Sequence, residues 1–155
     1  MCPAANAEFV EGRLGRAPAV ALAEGETTSI AGFELEAVAA AHPEPGPQYA
    51  GYVVRCGGGT LYHSGDTMVF PGMADGLRPL GINIALLPIN GALGNMDAPE
   101  AARLARAIGA GLAIPCHYEM FEFNTADPVV FADECERVGQ PYRVLRAGER
   151  FSRGA

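Results

Sequence analysis

Leu61-Tyr62-His63-Ser64-Gly65-Asp66-Thr67 carries an apolar strand into a tight turn and leaves an aspartate at its end. Far downstream, Ile114-Pro115-Cys116-His117 delivers a histidine in the same way, and His42 closes the run Ala39-Ala40-Ala41. A carboxylate and neutral imidazoles held at the ends of rigid strands are borderline donors suited to zinc, manganese or iron. The chain has only three histidines, none at ligand spacing from another, so a metal site must be assembled by the fold and not by a local motif. His63 lies three residues before Asp66; on a regular strand that separation turns the two side chains to opposite faces. His63 is therefore expected to pack or to support a ligand, and the candidate metal set is His42, Asp66 and His117.

Outward from this segment, the pattern alternates strands and helices. Phe33-Glu34-Leu35-Glu36-Ala37 has the period of a half-buried strand, preceded by the turn Ala31-Gly32. Tyr49 to Arg55 and Thr60 to Ser64 flank Gly57-Gly58-Gly59, a hairpin whose glycines supply positive φ. A strand follows these glycines, which argues against a phosphate-binding loop, since such a loop opens a helix. Ile82 to Pro88 is apolar at nearly every position, as in a strand covered on both faces. Asp97 and Glu100 stand at capping-box spacing before the helical face Ala101, Leu104, Ala105 and Ile108, which Gly109 ends. Gly111 to Cys116 is the next strand. Asp127-Pro128 then opens a helix with Phe131, Cys135 and Val138 inward, stopped by Gly139 and Pro141. Tyr142 to Leu145 is expected as a last strand, with Glu149-Arg150-Phe151 as an edge and Met68 to Gly76 as a mobile segment. The fold class is α/β, with hairpins in the first half and crossovers in the second.

At 155 residues the chain is the size of one domain, residues 1–155, and 49% hydrophobic against 19% charged residues marks it as globular. Eighteen acidic residues oppose eleven basic ones, for a net charge of -7, which disfavours direct nucleic-acid binding. The longest apolar runs fall far short of the roughly 20 residues of a membrane span, and Met1 to Asn6 lacks the features of a secretory signal, so a cytoplasmic location is expected. Cys2, Cys56, Cys116 and Cys135 have no metal or redox spacing and read as reduced thiols. Cys116 neighbours His117, but adjacent strand residues point to opposite faces, which argues against a thiol nucleophile.

The ordered series Ala39-Ala40-Ala41-His42, Leu61 to Thr67, Leu86-Leu87-Pro88-Ile89-Asn90-Gly91 and Ile114-Pro115-Cys116-His117-Tyr118-Glu119-Met120-Phe121 resembles the C-terminal half of a metallo-β-lactamase-fold hydrolase. Gly94-Asn95-Met96, Asn124-Thr125 and Val144 to Arg150 add a resemblance to the ascorbate-6-phosphate lactonase-like branch. That resemblance implies part of an αβ/βα sandwich, a mixed sheet with helices on one face. It also implies hydrolysis of a lactone, ester or phosphoester through metal-activated water, with two divalent ions, zinc or manganese, in a complete site. By the same resemblance His42 binds the first metal, Asp66 bridges the two and is the catalytic residue, and His117 binds the second. The implied substrate is a small molecule such as a phosphorylated sugar lactone.

Members of that superfamily carry a His-x-His-x-Asp-His signature, and nothing from Met1 to Ala41 replaces it. The expectation is therefore a partial domain whose N-terminal half is missing, with weak metal binding and little catalysis by itself. Three readings compete: an incomplete hydrolase, a half that associates with a separately encoded N-terminal half or oligomerises, and a non-catalytic binding module with a degenerate metal site. An apolar sheet face left without its partner layer is expected in each.

Overall fold

The structure is a computed structural model that describes residues 1–43 and 46–152. The chain opens with β1 (Cys2–Pro3), a 3-10 turn (Ala4–Asn6) and α1 (Ala7–Leu14), then β2 (Ala21–Leu22), which pairs with β1 in parallel. A six-stranded mixed sheet follows in sequential order: β3 (Thr27–Ile30), β4 (Phe33–Val38), β5 (Gly51–Cys56), β6 (Gly59–His63), β7 (Ile84–Pro88) and β8 (Leu112–Cys116). β3 to β6 are antiparallel neighbours, whereas β6, β7 and β8 run parallel. Each parallel step needs a crossover, supplied by α2 (Met73–Leu77) and then α3 (Ala98–Ala107); α4 (Pro128–Val138) follows β8.

The β5–β6 hairpin turns on Gly57 and Gly58, with φ of 56° and 76°, the conformation a two-residue turn imposes at both central positions. α3 begins with the expected capping box: the Asp97 carboxylate accepts from the Glu100 N–H at 2.7 Å, and the Glu100 carboxylate accepts from the Asp97 N–H at 2.9 Å. α4 starts with Asp127 accepting from the Val129 N–H and ends on left-handed Gly139.

Register decides which face is the core. Val53, Tyr62, Ala85 and Ala113 lie directly opposite one another on successive strands, so they share one face, and all four are fully buried under the helices. Ala101, Ala102 and Ala105 on α3 are buried in the same cluster, and these small side chains bring helix and sheet close. Phe131 of α4, also fully buried, meets Tyr142 edge to face at 6.2 Å. The mixed sheet with helices on one face is the expected architecture.

The opposite face carries Leu35, Val54, Leu61, Ile84 and Leu112 as one transverse row, with Ala37, Tyr52, His63, Leu86 and Ile114 as the next. Leu22 packs on Leu35 and Ala37 at the β4 end. Further along, Val54, Leu61, Ile84, Leu86 and Leu112 are only half-buried, an apolar face with no layer across it among the described residues.

Three local expectations fail. Met68 to Gly76 contains α2 because Met73 and Leu77, one helical turn apart, both bury against the sheet. Tyr142 makes a single bridge to Ala113 and no strand follows to Leu145, since β8 offers only Ala113 to pair with it. Glu149 closes a turn on Arg146 instead of forming an edge strand. No helix among the described residues is long and apolar enough to cross a membrane.

Replacing Phe131 by Ala should cost about 3–5 kcal/mol by opening a cavity under α4, and removing the Asp97 cap as Asp97→Ala about 1 kcal/mol. Urea unfolding monitored by circular dichroism measures both, and the order Phe131 over Asp97 is the checkable outcome.

Candidate metal centre

Thr67 is the node from which the site is built. Its buried Oγ1 accepts from the Ala41 N–H at 2.9 Å and donates to the Met68 carbonyl at 2.9 Å, while the Ala41 carbonyl accepts from the Met68 N–H at 2.8 Å. The Thr67 carbonyl accepts from the Met96 N–H at 2.8 Å. Three distant segments thus meet at one threonine: the one preceding His42, the one carrying Asp66, and the loop after β7.

Asp66 is set by the turn before it. Gly65 has φ 64°, and a Cβ there would lie 2.9 Å from the Ala50 carbonyl oxygen, so only glycine fits both the conformation and the space. This turn also breaks the strand alternation. His63 belongs to the outer-face row, and so does Cys116, which lies opposite Pro88. The Asp66 charge acts on both. β6 ends at His63, so the strand parity expected to turn His63 and Asp66 to opposite faces does not extend to Asp66. His63 Nδ1 accepts from the Gly65 N–H at 3.0 Å, so the ring braces the turn. Partial burial pushes the His63 pKa down, with Asp66 opposing that shift.

His117 follows β8 at a positive φ of 60°, a conformation β8 itself does not have. This kink turns Nε2 toward Asp66 Oδ1 at 3.7 Å. The separation is long for a hydrogen bond. It suits two ligands of one ion, because bonds of about 2.0–2.2 Å each allow donors up to about 4.3 Å apart. The side chain of His117 is 22% exposed and that of Asp66 53%, so the pair opens to solvent. His117 Nδ1 is buried with no hydrogen-bond partner among the described residues.

His42 stands apart from that pair. It packs edge to face on Tyr49 at 5.6 Å, and its buried Nδ1 has no hydrogen-bond partner among the described residues. A Cβ on Gly94 would come within 2.9 Å of that nitrogen, so the glycine is what lets the loop after β7 lie against the ring. Among the described residues no three His, Cys, Asp or Glu side chains are grouped to hold a metal ion. Asp66 and His117 fit two positions of one ion; His42 is not brought into the same group.

The motifs that carry the family resemblance are largely structural. Asn90 donates through Nδ2 to Asn124 Oδ1 at 2.7 Å, a buried bond joining the loop after β7 to the loop after β8. Glu119 N–H donates to Thr125 Oγ1 at 2.7 Å, closing the loop that starts at His117. Thr67 as a node is visible in the sequence only as one residue of Gly-Asp-Thr, because the partners that join it to other segments, Ala41 and Met96, lie 26 or more residues away. Burial pushes the Cys116 thiol up to about 12, with Asp66 adding to the effect, which disposes of it as a nucleophile at neutral pH.

Residues 2–118 match the family described as "Beta-lactamase superfamily domain". The chain belongs to the metallo-β-lactamase superfamily. It is 41% identical over 125 residues to a UPF0173 metal-dependent hydrolase of Opitutus terrae, covering 79% of this chain and 53% of that protein. A UPF0173 metal-dependent hydrolase of Pyrococcus furiosus is 35% identical over 130 residues, covering 79% of this chain and 56% of the relative. The chain spans about half the length of these curated relatives. Among solved structures, a metallo hydrolase of Ignicoccus hospitalis superposes with a TM-score of 0.77 at 26% identity, over 92% of this chain and 64% of that one. The metallo-β-lactamase fold protein YhfI of Bacillus subtilis superposes with a TM-score of 0.66 at 18% identity, over 84% and 54%, a likeness of fold alone.

Thr67→Val keeps the shape but strands the Ala41 N–H without its acceptor; it should cost about 1–3 kcal/mol, while Thr67→Ser stays close to the parent, as denaturant midpoints would report. Alkylation with iodoacetamide at pH 8 should modify exposed Cys56 first, with Cys116 and Cys135 protected until the protein unfolds. Peptide mass spectrometry reads that order directly.

Proposed function

We propose that this chain contributes to the divalent-metal centre of a metal-dependent hydrolase, with Asp66 and His117 as ligands of a shared ion and His42 serving a neighbouring position. The observation that carries the reading is the Asp66 Oδ1 to His117 Nε2 approach of 3.7 Å at the ends of separate elements of the sheet. The names of the curated relatives support it, and so does the order of the four motifs. A divalent ion held there supplies Lewis acidity and makes water nucleophilic near neutral pH. The chain's own part is to fix donor positions: Gly65 and the His63 brace aim Asp66, the β8 kink aims His117, and Thr67 ties the Asp66 turn to the His42 segment. Zinc or manganese suits this oxygen and nitrogen donor set. The resemblance of the Gly94-Asn95-Met96 and Asn124-Thr125 loops favours a lactone, and within that class a phosphorylated sugar lactone.

Two protein donors fall short of the three that a catalytic zinc ordinarily has. The remaining donors, in this reading, come from a polypeptide segment packed on the outer sheet face. The half-buried row Val54, Leu61, Ile84 and Leu112 supports that placement. A non-catalytic module with a degenerate site is the other reading the donor shortage favours.

Zinc titration by calorimetry separates these ideas. Asp66→Asn and His117→Ala should each weaken zinc binding tenfold or more, with His42→Ala weakening it less. If zinc affinity is unchanged in both Asp66→Asn and His117→Ala, the pair is not a metal site and the hydrolase reading falls with it. Zinc bound through this pair, with no lactonase or esterase turnover, points to the degenerate module.

A further inference from the structure

A cleft of about 330 Å³ lies between α2 and β4, on the helix-covered side of the sheet. Its walls are apolar: Val38 from β4, and Phe70, Met73, Leu77 and Leu80 from the segment that includes α2. Its polar end carries Glu36 and Glu24. We propose that this cleft binds an organic cation, an alkyl- or arylalkyl-ammonium whose apolar body lies along α2 and whose charged head meets the two carboxylates.

Three observations lead there. The first is shape: Met73, Gly76 and Leu77 of α2 line the cleft together with Gly72 before the helix and Leu80 in the 3-10 turn after it, and two of the five positions are glycine. A Cβ at either glycine would meet nothing within 4 Å, so the space is open; Gly72 is held left-handed at φ 84°, which itself favours glycine, whereas neither conformation nor packing requires glycine at 76. Gly76 lies inside α2, where glycine weakens a helix relative to alanine. The second is charge. Glu36 Oε2 accepts from Arg55 Nη2 at 2.7 Å, but the same guanidinium also donates to Glu34 Oε1 at 3.0 Å, so one cation is shared between two carboxylates. With Glu24 added, three carboxylates stand against the one guanidinium, and among the described residues no basic side chain lines the cleft. The third is size, since the volume falls at the lower end of small-molecule sites. An apolar body with a positive head satisfies both halves of the lining; an anion meets repulsion at the mouth, and a neutral analogue forgoes the attraction.

The test uses the full chain and three matched probes: phenethylammonium, 2-phenylethanol and 3-phenylpropionate, followed by saturation-transfer and chemical-shift NMR at pH 7. Phenethylammonium should bind at least tenfold more tightly than the alcohol, the carboxylate should not bind, and added salt should weaken the cation. Glu36→Gln should reduce cation affinity at least threefold, and Gly76→Leu should abolish it with the melting temperature kept or raised. Gly76→Ala, which adds one methyl and favours the helix, controls for folding and should keep binding. Intermolecular NOEs from the phenyl ring to the Met73 and Leu77 side chains locate the ligand without any variant. Equal affinity for ammonium and alcohol, retention of binding in Gly76→Leu, or the absence of those NOEs overturns the proposal.

Discussion

Thr67 is the constraint on which the metal end of the molecule depends. Its side chain is buried, accepts from Ala41 and donates to the neighbouring Met68 carbonyl, and its own carbonyl accepts from Met96, so two of the three bonds reach distant segments. A buried hydroxyl without partners is costly, and so is a buried backbone N–H without an acceptor. The arrangement is therefore all or nothing: the Ala41 segment, the Gly65 turn and the Met96 loop settle together. Because Asp66 precedes Thr67 and His42 follows Ala41, holding the threonine fixes the backbone from which both donors extend. No comparable bond reaches His117, whose position comes from β8 and from the closure of its own loop by Glu119 and Thr125.

The sheet has two unlike faces. Under the helices, small residues on both sides, Ala85 and Ala113 against Ala101, Ala102 and Ala105, give a close and dry core. The outer face has a transverse row of branched side chains with cover at the Leu35 end alone. His63 and Cys116 lie on that outer face and end β6 and β8, and Asp66 and His117 follow them in sequence, so the candidate metal centre sits at one end of the sheet. Small residues packed under the helices and a half-buried apolar row on the other face give the sheet two unlike sides.

Much of the fold is legible from local chemistry. The paired glycines at 57 and 58, the Asp97–Glu100 capping box and Asp127-Pro128 each specify a turn or helix start through groups a few residues apart. The apolar run ending at Pro88 reads as a strand covered on both faces; the strand forms, but Ile84 and Leu86 on its outer face stay half-buried. What could not be read locally went wrong in consistent ways. α2 has a weak five-residue signal and forms because the sheet accepts Met73 and Leu77. Tyr142 to Leu145 has strand-like composition and fails to form a strand because β8 pairs with it at one residue only. His63 was assigned by strand parity, and the left-handed Gly65 ended the strand before that parity reached Asp66.

By itself the sequence determined the order and type of most elements, the superfamily, and the three donors His42, Asp66 and His117 as candidates, since those depend on residue type and short spacing. Only the tertiary structure decided which donors meet. The 3.7 Å approach of Asp66 to His117 spans 51 residues and rests on strand register, a positive φ at residue 117 and a glycine turn at 65. His42 stays outside that pair because its ring packs on Tyr49 and against Gly94, contacts that no periodicity in the chain announces. Spacing along a chain can nominate ligands, but distance between them is set by how buried surfaces and hydrogen-bond partners are shared across the whole fold.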